Sequence, residues 1–185
     1  MADSVPSIVK IEDFFQDLTL RMLNLNPTAP ASQKRVRTTW PTKGAPAWKI
    51  TEDVTFLLIT FDDDSVTRQM DVAYLNKDAN NANRIMSYTR VIRVNWICYG
   101  PHSSEDADTI RSSLFLPQIA EQLLKNNMAL ITDVSMPMRT PELFNGQWWE
   151  RASLFVRFNE KVVRQSEIPY ITSADVRIIK EGDNQ

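Results

Sequence analysis

At 185 residues, with 21 Lys and Arg against 23 Asp and Glu, the chain is sized for one domain with a sizeable core and is nearly neutral. That balance argues against a protein whose main task is gripping nucleic acid, because counterion release needs a basic surface. One Cys, one His and four Gly exclude an internal disulfide, a Cys or His zinc cage, and the Gly-rich phosphate cradles G-x-x-x-x-G-K and G-x-G-x-x-G.

The longest apolar runs, such as Val54 to Phe61, are far too short to span a bilayer, so no membrane partner is expected. The opening Met1-Ala2-Asp3-Ser4-Val5-Pro6 has neither a basic nor a hydrophobic leader segment. Synthesis in a reducing cytoplasm is the expectation. No cofactor is expected either.

Ile8, Ile11, Phe15, Leu18, Met22 and Leu25 recur at steps of three and four, which lays one apolar stripe along a helix from Ser7 to Asn24. Ser4 or Ser7 is the cap. From Asn26 to Lys49 the character changes. Pro27, Pro30, Pro41 and Pro46 leave no room for a regular helix, and no acidic residue interrupts Arg21, Lys34, Arg35, Arg37, Lys43 and Lys49. Trp40 and Trp48 are interleaved with these cations. The segment reads as an extended basic arm, folded back on the domain or gripping a neighbouring subunit. An aromatic and basic mixture also suits single-stranded nucleic acid, although the rest of the chain does not.

Val54 to Phe61 is a continuous apolar run and reads as a strand buried on both faces. Asp62-Asp63-Asp64-Ser65 is a turn without the spaced ligands of a calcium loop. A returning strand, Val66 to Leu75, puts Val66, Met70, Val72 and Tyr74 on one face, and Asn76 to Asn83 is a polar loop. The strand Met86 to Tyr99 alternates best. Tyr88, Ile92, Val94, Trp96 and Cys98 point one way, and Arg93, Asn95, Ile97 and Tyr99 the other. Cys98 therefore reads as a buried, inert thiol.

Gly100-Pro101 breaks the strand, and Ser103-Ser104-Glu105-Asp106 opens a helix reaching Asn126, which Pro117 must kink or divide. His102 with Glu105, Asp106 or Asp108 is the best enzyme-like grouping. It lacks a nucleophile or a metal-ligand set, so no enzyme is expected. A strand from Met128 to Met136, a loop from Thr140 to Arg151, a strand from Ala152 to Val163 and a last strand from Tyr170 to Lys180 complete the chain. Ala152, Leu154, Val156 and Phe158 face the core, while Arg151, Ser153, Arg157 and Asn159 lie opposite with Phe155. The pattern is α+β: an antiparallel or mixed sheet covered on one side by helices, with a Pro-rich arm, in a single domain whose core is 54–180.

Three stretches carry a resemblance: Val94-Asn95-Trp96-Ile97-Cys98-Tyr99-Gly100, the capped helix after it, and Asn145-Gly146-Gln147-Trp148-Trp149-Glu150-Arg151 leading into Ala152-Ser153-Leu154-Phe155-Val156. In these, and in its order of elements from Val54 to Lys180, the chain resembles the neck and tail-terminator proteins of tailed bacteriophages. The resemblance implies a structural virion protein that ends the tail tube as a six-membered ring. It implies, as partners, other copies of the chain, the tube protein, a head–tail connector or neck protein and, as a further candidate, the tail sheath, with DNA passing through unread. Alternatives are a baseplate or tail-initiating component of related fold, or a nucleic-acid-binding module.

A ring subunit needs complementary head-to-tail edges, and Trp and Arg suit them. The interface candidates are Trp40, Trp48, Arg35, Arg37, Arg93, Trp148, Trp149, Arg151 and Arg157, with one of the paired Trp expected in the core. Asp62, Asp63 and Asp64 are candidates to line the lumen.

Overall fold

The computed structural model describes residues 5–38 and 48–170. Two 19-residue strands, β4 (Asn81–Tyr99) and β9 (Arg151–Pro169), form its backbone, paired antiparallel from Asn81 opposite Pro169 to Tyr99 opposite Arg151. The other strands attach to this pair. On one side, β2 (Val54–Asp62) and β3 (Met70–Asn76) lie end to end along β4, and β1 (Val36–Arg37) adds to β2 in parallel. On the other side, β5 (Met128–Leu130) and β6 (Met138–Arg139) pair with β9. The result is a seven-stranded mixed sheet, and helices pack on one face of it.

The helix-side face follows from strand parity. Ile92, Val94, Trp96 and Cys98 of β4 point there, together with Leu57 and Ile59 of β2 and Ala152, Leu154, Val156 and Phe158 of β9. Against them lies α1 (Ile8–Met22), capped by Ser7, with Ile11, Phe15, Leu18 and Met22 buried as the spacing predicts. Each such buried side chain stabilises the fold by roughly 1.5–3 kcal/mol. Thr19 fixes the position of α1. Its hydroxyl donates to the Phe15 carbonyl at 2.6 Å and accepts the Trp96 indole N–H at 2.8 Å, leaving the largest core side chain satisfied.

Pro117 divides the next helical stretch, as expected. The helix α3 (Ser103–Ser113) ends before it, and α4 (Pro117–Lys125) begins with the proline in its first turn, where the missing N–H costs nothing. Cys98 is buried, receives the Thr55 hydroxyl at 3.5 Å, and has its thiol pushed up to about 12 by burial.

Several elements differ from the sequence reading. The described part of the Pro-rich segment is not an extended arm. Pro30–Gln33 forms one helical turn (α2), and Val36 is fully buried at the sheet edge. Val66 is in a 3-10 turn capped by Asp64, so β3 begins only at Met70. The strand expected from Met128 to Met136 stops at Leu130, and the Arg111 guanidinium takes the Val134 and Ser135 carbonyls instead. The expected loop from Thr140 to Arg151 contains a hairpin, β7 (Glu142–Phe144) and β8 (Gln147–Trp149). Its turn, Asn145-Gly146, has φ of 48° and 76°, the left-handed pair of a type I′ turn. Strands β4 and β9 also run further than expected, by Asn81–Ile85 and by Arg164–Pro169. Of the expected final strand, 171–180 lie outside the described residues, as does Trp40.

Gly100 has φ of +111°, and a Cβ there would lie 2.7 Å from Asp53 Cα and 2.7 Å from the Glu52 carbonyl oxygen. Gly146 has φ of +76° and open space around it. Gly100→Ala is therefore expected to destabilise by about 2–3 kcal/mol, and Gly146→Ala by about 1 kcal/mol, in urea unfolding. Equal losses at the two sites would contradict this account of Gly100.

Candidate assembly surface

The face of the sheet away from the helices is where most of the sequence-selected residues converge. At one end, Val54, Phe56 and Tyr99 are covered by Trp149 from β8 and flanked by Trp48. The rings are in contact: Trp48 lies 4.9 Å from Phe56, 5.4 Å from Tyr99 and 5.9 Å from Trp149 between centroids, and Phe144 reaches Trp149 at 6.3 Å. Cations rim this plug. The Arg37 guanidinium is 5.8 Å from the Trp48 ring centre, and that of Arg151 is 5.9 Å from the Tyr99 ring. The Tyr99 hydroxyl donates to Glu142 at 2.8 Å. Burial and that acceptor push its ionisation up to about 12. Arg151 pairs with the same carboxylate at 3.2 Å, and Arg139 forks onto Glu150, which ties the hairpin to the sheet.

Arg35 turns inward. It pairs with Asp106 of α3 at 2.6 Å and with Asp53 at 3.5 Å. The His102 ring, largely exposed, also faces Asp53, with Nδ1 3.0 Å from the carboxylate. This hydrogen bond raises the imidazole above its usual range, while burial raises the Asp106 carboxyl against the pull of Arg35. His102 thus joins an ion cluster at the start of α3, paired with Asp53 and within the field of Glu105 and Asp106.

Beyond the aromatic plug no described element covers the same face. Leu58 and Phe155 are 44% and 48% exposed, with the Arg93 guanidinium 5.9 Å from the Phe155 ring. Arg93 forks onto Asp62, Arg157 lies 3.6 Å from Asp64, and Arg68 pairs with Asp63 at 2.6 Å. All three candidate lumen carboxylates therefore carry an Arg partner. Trp148 and Leu143 stand opposite each other on the outer side of the hairpin, 66% and 58% exposed, while Trp149 is 8% exposed. So the structure gathers Trp48, Trp149, Arg37 and Arg151 into an internal plug. It leaves Trp148, Arg93 and Arg157 on the surface and turns Arg35 to α3. Sequence reasoning missed Leu58 and Leu143. The Asn-Gly turn would have signalled the hairpin that presents Leu143.

A family model described as phage neck terminator protein matches residues 9–183. The chain belongs to the phage neck terminator protein family. No curated protein matches it. The family is a structural, non-enzymatic one, so this is a structural bacteriophage protein of the tail and neck with a tail-terminating role.

Trp149→Ala is expected to destabilise the neck terminator by about 3 kcal/mol through the cavity it leaves. Trp148→Ala should change stability by no more than about 0.5 kcal/mol, yet weaken attachment at the tail end by about 2 kcal/mol, on the order of 30-fold. Urea unfolding and a count of chain copies per purified tail check both. A large stability loss for Trp148→Ala, or tails still fully occupied, would count against this surface.

Proposed function

We propose that the chain acts as one domain that closes into a ring, six-membered, on the end of the tail tube. There it stops polymerisation and offers a docking face to the head connector. Its partners are then its own copies, the tube protein and a connector or neck protein, with the tail sheath as a further candidate. The observation that carries this reading is the match of residues 9–183 to a family of tail-end structural proteins.

The chemistry of the surface supports it. A heterologous contact needs two unlike patches on one chain, and large apolar side chains are exposed on both faces of the sheet. We assign Trp148, Arg93 and Arg157 of the sequence-selected set to partners, since Trp148 is 66% exposed and the two Arg, each paired with an Asp of the 62–64 turn, lie on the outer face of the sheet. A lumen bordered by Asp62, Asp63 and Asp64 would carry Arg68, Arg93 and Arg157 with it. Such a wall is close to neutral, which suits DNA that must pass without being held. The particle is assembled in the host cytoplasm and the protein stays with the virion.

Disrupting the gene in its phage and imaging the lysate tests the reading. Full heads beside separate tails of abnormal length are expected. Heads with no tails, or tails lacking their tip, would move the protein to a baseplate or initiation role.

A further inference from the structure

Among the described residues, the distal half of the sheet is a ribbon without a helix layer. Past Glu160, the last β9 residue paired with β5, and Val162, its last fully buried one, the described strands that continue are β3, β4 and β9. The boundary is marked by the buried Glu160 carboxylate, held by Arg90 at 2.6 Å. Pairing places Met70, Val72 and Tyr74 beside Tyr88, Met86 and Arg84 on the face continuous with the helix side. Met70, Val72 and Tyr74 are 58%, 43% and 61% exposed. On that face of the ribbon the charged residues are Arg84 and Arg164, with no carboxylate among them.

A second surface has the opposite character. Asp13, Phe14, Asp17, Gln122 and Asn126 line an open groove between α1 and α4, with Arg21 at one end. Glu12, Asp13 and Asp17 have no ion-pair partner among the described residues. The groove runs roughly 13 Å along α1 from Asp13 to Arg21, so it takes up about half of the roughly 23 Å that the seven residues of β3 extend.

We propose that the ribbon of one copy lies along the α1–α4 groove of the next copy, and that this head-to-tail contact is what joins neighbours in the ring. Met70, Val72 and Tyr74 are removed from water, and Arg84 meets the unpaired carboxylates of α1. The contact is heterologous, as ring closure requires. It rests on the ring assigned above.

Crosslinking in particles tests it. Phage encoding Tyr74→Cys with Asp17→Cys, and each alone, yield virions that are treated with a flexible bis-maleimide. The native Cys98 is buried and stays silent. A ladder of this chain, dimer and upwards, is expected from the double variant and from neither single. No ladder from particles whose tail ends hold the chain overturns the contact and leaves the ring standing. A crosslink to another virion protein, or a ladder from a single variant, overturns it too. Wild-type tail ends without the chain overturn the ring and the contact together.

Charge exchange is the second arm, for variants that fail to assemble. Arg84→Glu and Asp17→Lys should each lower plaque yield by about tenfold or more, and their combination should restore most of it. A combined variant no better than the singles overturns the proposal.

Discussion

The antiparallel register between β4 and β9 is the constraint on which everything else depends. It holds from Asn81 opposite Pro169 to Tyr99 opposite Arg151. Because side chains alternate with a period of two, this one register decides which residue meets helix, hairpin or solvent. A slip of β9 by one residue would send Phe158 out of the core and Arg157 into it while Trp96 stayed in place. Thr19 reads the same register from α1 by accepting the Trp96 N–H, so the helix layer is indexed to the sheet by a buried hydrogen bond.

From that register come two unlike ends. At the Tyr99 end the sheet is sandwiched, with helices on one face and the Trp48–Phe56–Tyr99–Trp149 plug on the other. At the Asn81 end the described part of it is a three-stranded ribbon with no described helix upon it. A strand group of that kind gains little from folding alone, since Met70, Val72, Tyr74 and Leu75 are exposed there.

Where one face of an element is buried in the core, its sequence was legible. The α1 stripe, the alternation of Tyr88 to Tyr99 and of Ala152 to Phe158, and the break at Pro117 each state their own structure, because burial imposes a period. The family, too, was legible in Val94–Gly100 and Asn145–Val156. Arg164 to Pro169 has no such period, and its strand character comes from pairing with β4. Beyond the end of β5 at Leu130, the Val134 and Ser135 carbonyls are taken by Arg111, more than twenty residues away in sequence. The site was less legible for the same reason. Nothing local tells that Arg35 turns to Asp106, or that Arg37 and Trp48 stack on the sheet, because those partners arrive from other elements. An Arg or Trp in a loop looks alike whether it serves its own fold or a neighbour's.

The measurement that tests the account most directly is a cryo-electron microscopy reconstruction of the intact neck, at a resolution that traces this chain. The account predicts six copies in a closed ring at the head-proximal end of the tube, with the β3–β4–β9 ribbon of each lying between neighbours. Copies at the distal tip, or a ring whose ribbons point freely into solvent, would contradict it.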